Sequence, residues 1–163
     1  MSQDLSAYRP NVGVVLFHAS GQVWLGRRVG TPAPHNWQFP QGGVDEGEEL
    51  ETAARRELAE ETGARTVTYL ARTDGWIAYD FPPGHASSKA ARGWRGQKQV
   101  WFAFRFDGDD GEFNLDAHPP AEFNAWRWAG IDEAADLIVP FKRATYDLVA
   151  TAFAAFAGSS PDG

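Results

Sequence analysis

At 163 residues, with 43% apolar residues spread along its length and no long polar tract, the chain reads as one ordinary globular domain able to bury a core without disulfides or structural metal. It contains no cysteine, which excludes thiolate catalysis and cysteine-ligated zinc, so any metal must be held by oxygen or imidazole. The net charge of −7 opposes broad adhesion to nucleic acid or an anionic membrane, and no apolar run approaches the roughly 20 residues that span a bilayer. The polar start, Met1 to Asn11, lacks the profile of a secretory signal, so a cytoplasmic protein is expected.

Asn11–Phe17 and Val23–Arg27 are β-rich runs separated by Ser20-Gly21 and predict a hairpin. Thr31–Asn36, with two prolines, is a loop, and Trp37–Pro40 a short extended piece that ends at a glycine pair. From about Glu48 to Thr62 strong helix formers predominate, with acids early and Gly63 where a left-handed cap would sit. Thr66–Ala71 and Gly75–Phe81 read as strands, and Pro82–Gly96 as an exposed loop long enough to suspect function. Gln99–Phe106 and Ala125–Ala129 read as further strands, with a turn at Asp107–Gly111. Ile131–Leu137 predicts a short helix ended before Pro140, and Lys142–Phe156 an Ala-rich helix with Leu148, Ala152 and Ala155 on one side. There is no internal repeat and no second domain; residues 1–157 form the unit and 158–163 a loose tail.

The chemistry concentrates in Gly42-Gly43-Val44-Asp45-Glu46-Gly47-Glu48 and Arg56-Glu57-Leu58-Ala59-Glu60-Glu61-Thr62-Gly63. Glu60 and Glu61 follow Glu57 at i+3 and i+4, so helical geometry places all three carboxylates on one face. Like charges at those spacings destabilise a helix by a few tenths of a kcal/mol per pair, which calls for cations or solvent. A solvated acidic face with Arg55 and Arg56 nearby satisfies the spacing alone. A glycine pair that lets backbone approach a ligand, beside hard oxygen donors, favours a site for Mg²⁺ or Mn²⁺ instead.

Gly42, Glu48, Arg56, Glu57, Leu58, Glu60, Glu61, Gly63 and Ala64 match the Nudix box, G-x5-E-x7-R-E-U-x-E-E-x-G-U, throughout, and the chain resembles the Nudix hydrolases. The resemblance implies an α/β/α sandwich with a mixed central sheet and a loop-helix-loop catalytic motif. It implies that Glu57, Glu60 and Glu61 hold divalent metal with a backbone carbonyl at Gln41, while Gly42, Glu48, Arg56 and Gly63 are structural, Glu48 and Arg56 pairing to fix the loop on the helix. Cleavage of a diphosphate needs its charge neutralised and a water activated; Glu57 is the first choice of general base, with Glu60, Glu61 and Glu122 as alternatives.

Beyond the box, Tyr8–Gly13, Trp37–Gly43, Gly96–Gln99, Glu122-Phe123, Trp126–Trp128 and Phe141–Arg143 resemble the bacterial RNA pyrophosphohydrolase and dinucleoside polyphosphate hydrolase group. That resemblance adds Glu122 as a fourth metal ligand, Arg9, Arg28, Gln97, Lys98 and Lys142 as substrate contacts, and Phe141 as a base-stacking platform. Each has a plainer competitor: surface charges for Arg9 and Arg28, core for Phe141, an ordinary loop acid for Glu122. Trp37, Trp101, Trp126 and Trp128 read as packing, and the four histidines show no ligand spacing. His85–Lys89 has no counterpart in the group, and the loop carrying Arg92, Arg95 and Lys98 is expected to border the phosphate site.

The expected substrate is a 5′-triphosphate RNA end converted to a monophosphate, or alternatively a diadenosine polyphosphate. No membrane or stable protein partner is expected. A nucleotide-binding module without turnover is the rival from another class, and the complete set of box carboxylates opposes it.

Overall fold

The computed structural model describes residues 4–82 and 93–157. The His85–Lys89 segment, Arg92 and the tail 158–163 lie outside the described residues. The strands are β1 (Tyr8–Phe17), β2 (Val23–Arg28), β3 (Trp37–Gln38), β4 (Gln41–Gly43), β5 (Val67–Arg72), β6 (Ile77–Asp80), β7 (Gly96–Phe106) and β8 (Phe123–Ala129). The helices are α1 (Leu50–Thr62), α2 (Ile131–Leu137), α3 (Arg143–Ala152) and the single turn α4 (Ala154–Ala157).

β1 lies beside β7, parallel, in register from Tyr8 opposite Gly96 to Phe17 opposite Arg105. The order β3-β2-β1-β7-β5 forms the spine, with β4 paired to β1, β6 to β7 and β8 to β2, all antiparallel. Both faces are covered, so Val12 to Phe17 of β1 and Val100 to Phe104 of β7 carry no polar side chain rather than alternating with polar residues. Val12, Val14 and Leu16 of β1 and Val100, Phe102 and Phe104 of β7 meet Ala53, Ala54 and Leu58 of α1. Val15, Phe17, Trp101 and Ala103 face the opposite way, onto Ala134, Tyr146 and Val149 of α2 and α3. The result is the expected helix–sheet–helix sandwich.

Several elements differ from the sequence reading: β7 begins at Gly96 rather than Gln99, β8 at Phe123 rather than Ala125, and Gln41–Gly43 is itself a strand where the glycine pair was expected to end one. β1 begins at Tyr8, not Asn11, because Tyr8, Arg9 and Pro10 already pair with Gly96, Gln97 and Lys98 of β7, and Pro10, which has no N–H to give, still accepts through its carbonyl from the Val44 N–H at 3.4 Å. α1 begins at Leu50 because Gly47 takes φ +79° and Glu48 is drawn out of the helix to bond the Asp45 N–H at 2.9 Å. The last helix is broken into a 3-10 turn at Pro140–Lys142, α3 and α4. Leu148, Ala152 and Ala155 do share a side, and it is the solvent side, Leu148 being 56% exposed. The packed side is Thr145, Tyr146, Val149 and Phe153, whose two rings bury more area than alanines can.

Candidate active site

α1 ends where Gly63 adopts φ 84° and returns its N–H to the Ala59 carbonyl at 2.9 Å, a left-handed cap that turns the chain away just after Glu61. The helix is anchored to the preceding loop by Arg56. Its Nε and Nη2 grip Glu48 at 2.8 and 2.9 Å, and Nη2 also donates to the Gly43 carbonyl at 3.0 Å. Nη1 donates to Glu57 at 3.0 Å and, more loosely, to Glu60 at 3.5 Å. These bonds, with the Asp45 N–H, hold the Glu48 carboxyl down to about 2, and raise the Arg56 guanidinium further still.

Glu57 lies directly on the backbone of β4. A Cβ placed on Gly42 would sit 2.0 Å from its carboxyl carbon, so glycine is what allows this approach. Burial raises the Glu57 pKa, with the Arg56 charge opposing. Glu61 is driven further: burial raises its pKa well above the ordinary value, and the charges of Glu122 and Glu57 add to this. The Gln41 backbone N–H, 3.3 Å from Glu61 Oε1, opposes. Glu60 is more open.

The partner from outside the box arrives through β2 and β8. A register shift between Arg27 and Arg28 sets Arg28 opposite Phe123, and the Val29 N–H donates to the Glu122 carbonyl at 3.0 Å. Arg28 Nε then lies 3.3 Å from Glu122 Oε2. Lys142, only 6% exposed, stands in the same field: burial lowers its pKa to about 8, Arg28 adds to this, and Glu122 and Glu61 oppose. Among the described residues no three carboxylate or imidazole side chains converge closely enough to hold a metal ion in this arrangement, since Glu57 and Glu60 turn to Arg56 and Glu122 to Arg28. The donor chemistry nonetheless fits a hard cation, being all oxygen and centred on a buried carboxylate that two neighbouring carboxylates push toward protonation.

Beside Glu61 opens a cavity of about 420 Å³ whose walls include Arg28, Gln41, Tyr79, Gln97, Phe141 and Lys142. Five of these were singled out in the sequence, and they converge. Arg9 stands next to Gln97 across the β1–β7 ladder, with its guanidinium against Gly43. Lys98 does not join them. One residue along a strand reverses the face, and its ammonium lies 4.9 Å from the centre of the Trp76 ring. Arg95 is likewise drawn off, paired with Asp80 at 3.0 Å and lying over the Tyr8 ring. Tyr79 and Phe81, which also line the cavity, were not singled out. Tyr79 donates its hydroxyl to Gln97 and meets Phe141 edge-on at 5.8 Å. The available signal was the pair of aromatics at i and i+2 just before the long loop, which puts both on one strand face.

The site thus sets an acidic helix edge beside a cavity lined by cationic and aromatic side chains, within a mixed α/β sandwich. A NUDIX domain model matches residues 7–149, and the chain belongs to that family. It is 64% identical over 160 residues to an RNA pyrophosphohydrolase of Caulobacter vibrioides (strain NA1000 / CB15N), covering 97% of this chain and 93% of the relative. Against an RNA pyrophosphohydrolase of Azorhizobium caulinodans it is 49% identical, covering 92% and 94%. The solved E. coli dihydroneopterin triphosphate pyrophosphohydrolase shares the fold, with a TM-score of 0.66 at 21% identity over 86% of this chain and 95% of that one. No helix among the described residues is long and apolar enough to cross a membrane.

Proposed function

We propose that this chain is a cytoplasmic RNA pyrophosphohydrolase that removes pyrophosphate from a 5′-triphosphate end and leaves a monophosphate. The observation that carries this reading is the joining of two chemistries at Glu61: an acidic helix edge on one side, and on the other a cavity combining Arg28 and Lys142 with the rings of Tyr79 and Phe141. The identity with the Caulobacter relative extends over nearly the whole chain and supports the RNA end as substrate.

Glu57, Glu60, Glu61, Glu122 and the Gln41 carbonyl would hold Mg²⁺ or Mn²⁺. When bound, such a cation supplies neutralisation of the polyphosphate charge and acidification of water. The chain's own groups do the rest. Arg28, Arg9, Gln97 and Lys142 donate to phosphate oxygens, and Phe141 and Tyr79 offer ring surface to a base. Glu57, held against the β4 backbone at Gly42, takes the proton of the attacking water while the new P–O bond forms and the diphosphate bond breaks. Lys98, turned to Trp76, has no direct part.

The test is kcat/KM for 5′-triphosphorylated RNA, diadenosine tetraphosphate and free nucleoside triphosphates at equal concentration with Mg²⁺ or Mn²⁺. RNA should be preferred by at least about tenfold, which is about 1.4 kcal/mol of differential transition-state binding. A preference for the dinucleotide would replace this reading with its rival.

A further inference from the structure

A buried chain of side-chain amides runs from the core to the cavity wall, and one end of it can bond in only one sense. Trp101 on β7 is fully buried, and its indole Nε1 lies 3.1 Å from Gln99 Oε1. An indole N–H donates and never accepts, so the Gln99 atom facing it must be the carbonyl oxygen. The Gln99 NH2 is thereby aimed the other way, at Asn11 Oδ1 (2.7 Å) and Gln41 Oε1 (3.1 Å). Both of those atoms must in turn be oxygens, because an NH2 facing an NH2 would leave buried donors unpaired. Gln41 lines the cavity. With its oxygen committed to Gln99, its own NH2 is the end left for a ligand.

We infer that Trp101, acting through Gln99, sets the polarity of the Gln41 amide so that the cavity receives a hydrogen-bond donor, and that this donor selects the acceptor-rich polyphosphate of the substrate. The inference rests on the proposed reading of the cavity and deepens it: Gln41 becomes a specificity residue through its side chain, separate from any use of its backbone carbonyl, and Gln99 a positioning residue. Asn11 and Gln99 make no bond to the acidic helix, and Gln41 meets it through its backbone N–H to Glu61 rather than through its side-chain amide, so a turn of that amide belongs in affinity rather than turnover.

The test is Gln99→Glu. A carboxylate of the same shape still accepts from Trp101, but it cannot donate, so the Asn11 and Gln41 amides turn over to give it their NH2 groups. Gln41 then shows an oxygen to the phosphates. Affinity for inorganic tripolyphosphate, and KM for 5′-triphosphorylated RNA, should weaken by about tenfold, the factor of one hydrogen bond to a charged group, with kcat changed by less than about threefold. Affinity for the same RNA with a 5′-hydroxyl should not move. The Gln41 side-chain amide resonances, which shift when tripolyphosphate is added to the unaltered protein, should not respond in the variant.

If Gln99→Glu fails to fold, Gln41→Met carries the test, since it removes the amide donor without adding a charge to the cavity; the same tenfold loss is expected. Unaltered tripolyphosphate affinity in the variant that folds would overturn the inference, as would an equal loss toward 5′-hydroxyl RNA. Tripolyphosphate binding reports on the donor whatever the organic half of the substrate is. An unaltered protein that binds it and leaves triphosphorylated RNA uncleaved would sink the RNA reading while leaving this inference to be judged by the variants.

Discussion

Replacing Gly42 by alanine isolates the placement of Glu57 from the stability of the fold. The added Cβ would lie 2.0 Å from the Glu57 carboxyl carbon and 2.1 and 2.4 Å from its two oxygens. Non-bonded carbons rest at about 3.5–4.0 Å, so the carboxylate must retreat by roughly 1.5 Å. It is the free end of a long side chain and can do so by rotating, at a cost of about 0.5–1.5 kcal/mol for a strained rotamer. The Gly42 backbone is not in the left-handed region, so alanine regains about 0.4–1 kcal/mol by restricting the unfolded chain. The two nearly cancel, and the melting temperature should move by no more than about 2–4 °C. Catalysis should suffer far more, because a displacement of 1 Å in a reacting group costs about 10²-fold. The assay is kcat on triphosphorylated RNA beside a thermal melt, with Glu57→Gln setting the floor. A Gly42→Ala enzyme that melts normally and retains kcat within about threefold would refute the claim that this contact places a reacting carboxylate.

Two further substitutions bear on the charges around the site. Glu48→Gln loses charge-assisted bonds to Arg56 and should cost about 1–3 kcal/mol at neutral pH, read as a lower urea midpoint. The Glu48 carboxyl titrates lower in the folded chain than its ordinary 4.5, so the unfolded chain binds more protons between that value and about 2, and the unaltered protein should lose stability as pH falls through this window. Glu48→Gln should flatten that part of the acid unfolding curve, and an unchanged slope would deny the pairing its role. Lys142 is shifted down from 10.5 to about 8, so its burial penalises the charged form; stability should rise with pH across that interval and fall as pH drops back through it. Lys142→Met should therefore stabilise the ligand-free protein at pH 7 by about 1–3 kcal/mol while raising KM for the triphosphorylated end, and a variant that is less stable would contradict this.

What was legible in the sequence was local. The carboxylate spacing, the arginine at its start and the cap at Gly63 fall within one helix and its flanks, so 3.6-residue geometry assembles them without knowledge of the rest. The β-rich runs of β1 and β7 likewise marked strands from local composition, whereas coverage of the sheet on both sides was implied by the family resemblance. The cavity is another matter: Arg28, Gln41, Tyr79, Gln97 and Lys142 come from β2, β4, β6, β7 and a 3-10 turn, and their meeting depends on pairing across the sheet. The Arg28–Glu122 contact follows from a register shift between β2 and β8 that no short motif encodes. Lys98 could have been separated from Gln97 in advance, because neighbours on a strand face opposite sides. Tyr79 needed the fold, since only the pairing of β6 with β7 brings its hydroxyl to Gln97.

Burial raises the Glu61 pKa and lowers that of Lys142, so each shift favours the uncharged form, although each group lies in the field of an opposite charge. Arg28 is shared between them: it opposes the rise at Glu61, adds to the fall at Lys142, and is itself bound to Glu122. A fold selected only for stability would have replaced such a set with apolar residues of similar size. On the proposed function, a substrate that brings negative phosphates to Lys142 and Arg28, with cations at Glu61 and Glu122, would relieve both shifts at once. Ligand binding should for that reason stabilise this protein more in the presence of divalent cation than the two ligands do separately, a positive coupling that thermal melts with tripolyphosphate, Mn²⁺ and both together would measure.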